Sequence, residues 1–255
     1  MSIYGRTFVE GEKVTGWLPI NDKWYYIAED GYMVTGIYKV GNRKYLFMED
    51  GSMKTGWFKV DDTWYYISSD GELRAQWVKS LSNWYYVNDE GLILTGDQVI
   101  NGRQYYFNED GIMYTGWMQV GNSTYYFDES GLMKTGWFKI NDEDYYAASS
   151  GAIQAQWVKS LSNWYYVDVD GKMVTGYQTI NGAKYYFASS GLMQKDWFKI
   201  NGEDYYAASS GTIQAQWVKS GRNWYYVDTD GKMVTGDYII DGKVNHFDNQ
   251  GLWMN

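Results

Sequence analysis

The feature that most constrains this chain is a 20-residue repeat that runs through nearly all of its 255 residues. A glycine recurs every 20 residues from Gly11 to Gly251, and a tyrosine recurs at the same interval from Tyr25 to Tyr225. Residues 15–254 hold twelve such units without an insertion. Because so short a unit cannot bury a core of its own, its apolar residues must pack against neighbouring units.

Each unit has the pattern of a β-hairpin. Several units place Asn-Gly or Asp-Gly between two runs of aromatic and β-branched residues, as at Asn101-Gly102 and Asp241-Gly242. These dipeptides favour a type I′ turn, in which both central residues need a positive φ. A lone hairpin is only marginally stable in water, so the units must stabilise one another. We predict an all-β solenoid of about twelve tandem 20-residue β-hairpin repeats over residues 15–255, preceded by a degenerate half-repeat or cap over residues 1–14.

A longer similarity lies above the repeat. Residues 137–176 and 197–236 differ at only five of 40 positions and lie 60 residues apart, which is three units. This spacing fits about three hairpins per superhelical turn, and a recent duplication explains it equally well.

Composition excludes several classes of function. The net charge of −9 disfavours nucleic acid and anionic lipid as partners. No apolar run approaches the roughly 20 residues of a membrane span, so no membrane insertion is expected. There is no cysteine, hence no disulfide framework or thiolate metal site. The first residues lack the apolar segment of a signal peptide, and we expect a module of a longer secreted protein.

The aromatic residues, 20 % of the chain, divide into two groups. The position of Tyr65 holds tyrosine in eleven of twelve units, which is typical of a packing residue. The position of Trp64 holds Trp, Lys, Gln, Thr, Asp or Val, so this position must reach solvent. Side chains alternate between the two faces of a strand. We therefore expect Trp64 to lie on the opposite face from Tyr65, together with Trp57 from the other strand, and to be available to a ligand.

The motifs Thr55-Gly56-Trp57, Trp64-Tyr65-Tyr66 and Gly71-Glu72-Leu73 resemble the choline-binding, or cell-wall-binding, repeats of Gram-positive surface proteins, autolysins and phage lysins. The resemblance covers essentially the whole chain. It implies a non-catalytic module, secreted to the bacterial cell surface, that attaches a parent protein to choline or phosphocholine of teichoic acids without a cofactor. It also leaves a homodimer through an end unit open.

In that family each choline lies between consecutive hairpins, against the Trp of Gly-Trp, the first Trp of Trp-Tyr-Tyr and the second Tyr of the next unit, with a Met or Leu nearby. Matched residue by residue, the resemblance implies three complete triads, with Leu73, Ile93 and Met173 as apolar walls: Trp57, Trp64 and Tyr86; Trp77, Trp84 and Tyr106; and Trp157, Trp164 and Tyr186.

The other units depart from this pattern. Trp17 and Trp24 lack a third ring because Leu46 stands at its place, and Trp217 and Trp224 end on His246 as a substitute. Three further units hold Thr124, Asp144 or Asp204 where the second Trp is expected. The resemblance therefore implies roughly three to five aromatic cages for a cation.

An alternative ligand is carbohydrate. Residues 175–187 are similar to the repeats of large clostridial toxins and of glucan-binding enzymes such as glucansucrases, which bind oligosaccharides. Sugars stack on Trp and Tyr faces as a trimethylammonium group does, so the rings alone leave both ligands open, as well as a purely structural role.

No catalytic or metal-binding constellation is predicted. Asp168-Val169-Asp170-Gly171 and the equivalent Asp228-Thr229-Asp230-Gly231 resemble the start of a calcium loop, but a lysine follows where a ligand is needed and no Glu stands at the twelfth position. We interpret both as polar turns. His246 is the only histidine, which leaves no histidine cluster for a metal.

Overall fold

In a computed structural model of the chain, residues 8–9 and 12–254 are described, and their regular structure is all β. Short strands Phe8–Val9 and Glu12–Lys13 pair near the N-terminus, and Glu72–Leu73 and Trp253–Met254 each add to a hairpin. The hairpins are Gly16–Ile20 with Lys23–Ile27, Gly36–Val40 with Arg43–Phe47, Gly56–Val60 with Thr63–Ile67, Gln76–Ser80 with Asn83–Val87, Gly96–Ile100 with Arg103–Phe107, Gly116–Val120 with Ser123–Phe127, Gly136–Ile140 with Glu143–Ala147, Gln156–Ser160 with Asn163–Val167, Gly176–Ile180 with Ala183–Phe187, Asp196–Ile200 with Glu203–Ala207, Gln216–Ser220 with Asn223–Val227, and Gly236–Ile240 with Lys243–Phe247.

The tandem-hairpin prediction is confirmed. The expected turns also form, because Asn101 and Gly102 have φ values of 51° and 75°, as the type I′ turn requires. The N-terminal cap stays a prediction, since residues 1–7, 10 and 11 lie outside the described residues.

The register of each hairpin fixes which side chains share a face. In the hairpin of residues 56–67, Trp57 lies opposite Tyr66 and Lys59 lies opposite Trp64. Directly paired residues point to the same side of an antiparallel ladder. These four side chains therefore form one face, and Tyr65 and its neighbours form the other.

Consecutive hairpins pack with unlike faces together. Trp57 and Tyr66 of one hairpin contact a buried cluster of the next that contains Val78 and Val87. The most deeply buried side chains belong to the same position of successive units: Ile27, Phe47, Ile67, Val87, Phe107, Phe127, Val167, Phe187 and Val227. The core is thus a series of small apolar layers between hairpins.

In most repeats, a backbone hydrogen bond links a hairpin to the segment that follows the next hairpin. The amide of Met53 donates to the carbonyl of Trp24 over 2.7 Å, and the amide of Met193 donates to the carbonyl of Trp164 over 2.9 Å. The side chain at the Met53 position is thereby held beside a tryptophan of the preceding hairpin.

The described residues form two compact units, one made of those up to residue 116 together with 127–133, and the other made of residues 117–126 together with those from 134 onward. About three hairpins per superhelical turn remains a prediction. No helix in the part of the chain that the structure describes is long and apolar enough to cross a membrane.

Candidate functional site

Five hairpins present two indole rings on one face, at nearly a right angle. The ring centroids of Trp57 and Trp64 lie 6.3 Å apart with an angle of 83° between the planes. Trp64 keeps 47 % of its surface exposed, because it lies at the outer end of the hairpin face. The other pairs have centroid distances of 6.3 to 6.4 Å and angles of 85° to 87°: Trp17–Trp24, Trp77–Trp84, Trp157–Trp164 and Trp217–Trp224.

The next hairpin closes the third side with a tyrosine. The ring of Tyr85 lies 5.0 Å from that of Trp57, with an interplanar angle of 73°. The apolar side chain held by the backbone hydrogen bond forms the fourth side, here Ile93, which is 7 % exposed. The same arrangement recurs in three other pairs, with Tyr45 and Met53, Tyr105 and Met113, and Tyr185 and Met193.

These four cavities, named after their first tryptophan, are the Trp17, Trp57, Trp77 and Trp157 grooves. Their volumes lie between about 340 and 530 Å³. The rim comes from the turn after the third of three consecutive hairpins, counted from the hairpin that carries the two tryptophans. Equivalent positions of this turn hold Asp70, Asp110, Ser130 and Ser210. Three successive repeats therefore build each groove.

The structure corrects the third ring of each expected triad. Tyr86 is paired across its own hairpin with Trp77, at 5.0 Å, and packs against the following hairpin. It therefore faces away from Trp57 and Trp64, and Tyr85 takes the expected place. Tyr106 and Tyr186 are displaced in the same way, opposite Asp97 and Tyr177. The reason is strand alternation: the face that a hairpin turns toward its predecessor carries the first tyrosine of the Tyr-Tyr pair.

The apolar wall of each groove comes from the repeat after the one that the sequence predicted. Ile93 lines the Trp57 groove rather than the Trp77 groove. Leu73 is paired with Lys44, and the amide of Met173 donates to the carbonyl of Asp144, so neither lines a groove with two tryptophans. The wall comes from the segment after the next hairpin, because the backbone hydrogen bond spans 29 residues, as from Trp24 to Met53.

The Trp17 groove is complete, contrary to the sequence-based expectation. Tyr45, only 7 % exposed, lies 4.8 Å from Trp17, so Leu46 at the next position is irrelevant to the groove. The repeated tyrosine spacing marks this position in the sequence. The prediction that these tyrosines serve packing is incomplete, because Tyr45 is buried and also lines the groove.

Contrary to the expectation from the sequence, His246 does not complete the site of Trp217 and Trp224; Trp253 does. His246 Nδ1 lies 2.6 Å from the carboxylate of Asp237 in its own hairpin, away from Trp217. Trp253 takes the place of the apolar wall, with its ring 5.3 Å from Trp217 at 72°. Asn245 stands at the tyrosine position, so this end site has three indoles in a different arrangement.

An ion pair occupies the place of the second tryptophan in two units. Asp144 accepts from Lys139 at 2.9 Å, and Asp204 accepts from Lys199 at 2.7 Å. Trp137 and Trp197 keep their tyrosine neighbours, Tyr165 and Tyr225, both at 5.4 Å. These units therefore present two rings and a paired carboxylate instead of three rings.

Charged groups surround the aromatic walls. Lys59, Lys79, Lys159 and Lys219 place their ammonium groups 5.4 to 6.0 Å from the ring of the second tryptophan. At the rim of the Trp17 groove, the hydrogen bond from the Ser68 hydroxyl, with further help from Arg74, lowers the pKa of Asp70 to about 2. Asp70 therefore stays ionised in any neutral or mildly acidic solution.

The calcium-like sequences form polar turns. Oδ1 of Asp168 accepts from the amides of Asp170 and Lys172, at 3.0 and 2.9 Å. Within the described residues, no three His, Asp or Glu side chains come together to hold a metal ion.

Comparison with known proteins decides the family. A model described as "Choline-binding repeat" matches residues 14–46, 34–77, 94–135, 114–155 and 174–214. A second, "Putative cell wall binding repeat", matches residues 76–93, 156–173 and 216–233. The chain belongs to the choline-binding repeat family. No curated protein sequence matches it.

Solved structures share its fold. CbpJ from Streptococcus pneumoniae TIGR4 is 24 % identical and superposes with a TM-score of 0.61, over 93 % of this chain and 99 % of that one. Choline binding protein F from Streptococcus pneumoniae, in the presence of a peptidoglycan analogue, is 25 % identical with a TM-score of 0.60, over 95 % and 100 %. The modular autolysin LytC from the same species is 23 % identical with a TM-score of 0.57, over 94 % of this chain and 53 % of that one. The predicted all-β solenoid class is confirmed.

Proposed function

We propose that this chain is a non-catalytic module that binds choline or phosphocholine of teichoic acids and so attaches a longer, secreted protein to the bacterial cell surface. The observation that carries the proposal is the right-angled tryptophan pair closed by a tyrosine from the next hairpin. It recurs in the Trp17, Trp57, Trp77 and Trp157 grooves with centroid distances that vary by only a few tenths of an ångström.

The geometry suits a rounded cation. Ring faces carry negative potential, and a trimethylammonium group makes no hydrogen bonds, so three ring faces around it stabilise the charge with little desolvation cost. A cation–π contact contributes about 0.5 to 2 kcal/mol, and three of them correspond to a dissociation constant on the order of millimolar.

The same geometry disfavours a sugar as the principal ligand. A pyranose stacks the C–H groups of one face of its chair on a single broad aromatic face, while its hydroxyl groups need polar partners. In the Trp77 groove, the walls are Trp77, Trp84, Tyr105 and Met113, and the polar residues Glu129 and Ser130 are confined to the rim. Carbohydrate remains the alternative, and the test includes it.

The test is a titration followed by intrinsic tryptophan fluorescence. Choline is compared with 3,3-dimethylbutan-1-ol, which replaces the ammonium nitrogen by carbon, and with glucose oligosaccharides. We expect saturation at millimolar choline and at least about a tenfold weaker response to the neutral analogue.

Variants locate the response. Trp64→Ala and Trp164→Ala each remove one wall and should each lower the number of bound cholines by one. Trp117→Ala is the matched control, because Trp117 is also exposed but has Thr124 where a second tryptophan would stand. A response to oligosaccharides without one to choline would favour the carbohydrate alternative, and silence to both would leave a structural role.

Attachment to the wall needs its own experiment. Teichoic acid that carries choline is compared with teichoic acid in which ethanolamine replaces choline, using pull-down of the full chain. Retention on the choline form alone supports the proposal, and equal retention on both contradicts it. The homodimer stays a prediction, for which sedimentation velocity is the measurement.

A further inference from the structure

The grooves share their walls but differ in the charge at their rim. The Trp57 groove is bordered by Asp110, and the equivalent residue of the Trp157 groove is Ser210. The Trp157 groove is also lined by Lys195, where the repeat places Thr95 at the Trp57 groove. Of the described side chains that line the Trp157 groove, none is acidic.

One unit shows that this rim position can meet a cation. In the hairpin of residues 176–187, Tyr177 and Lys184 stand where other units carry two tryptophans. The ammonium of Lys184 lies 2.5 Å from Oδ1 of Asp230 and 3.2 Å from the carbonyl oxygen of Thr229. Asp230 is the counterpart of Asp110 and Ser210. A cation attached to the second wall position is therefore within contact distance of a carboxylate at the rim.

The Trp157 groove has the opposite design. Lys159 and Lys195 both line it, and serines 209 and 210 offer hydroxyl groups in place of a carboxylate. Its volume of about 530 Å³ exceeds the 370 Å³ of the Trp57 groove. Both volumes leave room for a ligand larger than choline, so the two grooves differ in rim charge rather than in size. The positive rim of the Trp157 groove weakens the binding of a simple cation and attracts an anion attached to that cation.

We infer that Lys195 makes the Trp157 groove selective for a quaternary ammonium ligand that carries an anionic phosphate, whereas Asp110 makes the Trp57 groove favour the ammonium without one. This inference rests on the proposed function and names the ligand class that each groove prefers. Lys195 would act as a specificity-determining residue: the rings hold the ammonium, and its side chain donates to the phosphate at the groove mouth.

The experiment measures each groove separately in the full chain. Indole N–H signals of Trp64 and Trp164, assigned through Trp64→Phe and Trp164→Phe, are followed by NMR during titration with choline and with phosphocholine. The ratio of the two affinities is the readout. We expect the ratio of phosphocholine affinity to choline affinity to be at least about threefold higher at Trp164 than at Trp64. An exposed ion pair contributes up to about a factor of five to an affinity.

Exchanging the rim residues tests the cause. Lys195→Thr should lower the phosphocholine preference at Trp164 about threefold and leave Trp64 unchanged, and Ser210→Asp should lower it further. The reciprocal pair Thr95→Lys and Asp110→Ser should raise the preference at Trp64. Each of the four substitutions introduces the residue that the other groove carries at the equivalent position, and all four positions are exposed. The fold should therefore persist.

The outcomes separate the two proposals. Equal ratios at both grooves, or a ratio at Trp164 that Lys195→Thr leaves unchanged, would overturn the inference while choline binding stands. No response of either indole to either compound would overturn the proposed function and the inference with it. A preference that weakens as salt increases supports the electrostatic origin.

Discussion

At the scale of single residues, neighbouring side chains have different roles because the strand turns them to opposite faces. Tyr85 lines the Trp57 groove, while Tyr86 pairs with Trp77 in its own hairpin. The alternation itself follows from the sequence. Which face meets the preceding hairpin does not, because that depends on how two hairpins pack. The sequence alone therefore cannot tell whether Tyr85 or Tyr86 is the third ring of the Trp57 groove.

Asp70 provides a prediction about pH. Its folded pKa of about 2 lies below the ordinary value, so its ionised form stabilises the fold above about pH 4, and this contribution disappears as the pH falls toward 2. Ser68→Ala removes the largest cause of the lowered pKa and should raise it. NMR titration of the Asp70 carboxyl measures the change, with Ser69→Ala as control. An unchanged pKa in Ser68→Ala would contradict this account.

The ionised Asp70 also bears on binding. Choline affinity at the Trp17 groove should be constant between pH 7 and about pH 4, because the rim charge does not change over that range. Following the Trp24 indole during choline titrations at several pH values checks this expectation. A loss of affinity above about pH 4 would indicate that another titrating group controls the site.

At the scale of the element, the recurring glycine is required by backbone geometry and by close packing. Gly231 has a φ of 77°, and a Cβ built there would lie 2.7 Å from the carbonyl oxygen of Tyr206. Gly236 has a φ of 71° but no atom within 4 Å of such a Cβ. The two positions therefore separate backbone strain from steric overlap.

We expect Gly231→Ala to lower the free energy of unfolding by about 2 to 4 kcal/mol, and Gly236→Ala by only about 1 kcal/mol. The difference arises because Tyr206 contributes a backbone atom that cannot move aside. Urea unfolding followed by circular dichroism measures both. Equal losses of unfolding free energy in the two variants would show that backbone strain alone explains why glycine recurs at both positions of the repeat.

Sequence periodicity located the hairpins and their turns well, because the Asn-Gly dipeptides and the alternating aromatic residues act locally. The grooves depend on contacts across repeats. Met193, rather than Met173, lines the Trp157 groove because the backbone hydrogen bond to Trp164 comes from the segment after the next hairpin. The two residues joined by this hydrogen bond lie 29 residues apart, so no pattern within one 20-residue unit predicts their contact.

At the scale of the whole molecule, several weak grooves on one chain can bind a repetitive polymer strongly. Once one choline is bound, the next binds at a high effective concentration. Removing the second tryptophan of one pair, as in Trp84→Ala, should weaken binding to choline-bearing teichoic acid by about tenfold or more. Free choline should retain its affinity at the remaining grooves.

Surface plasmon resonance on immobilised teichoic acid, compared with calorimetry of free choline, measures the two effects. Trp117→Ala again serves as the control. Equal proportional losses for polymer and free choline would mean that the grooves act independently on the wall.

The most direct test of the central claim is a crystal structure of the full chain soaked with choline at several times its dissociation constant. The account predicts trimethylammonium density between Trp57, Trp64 and Tyr85, with Ile93 on the fourth side, and equivalent density in the Trp17 and Trp77 grooves. Ligand bound instead against Tyr86, or no ligand in any of these grooves at saturation in solution, would contradict it.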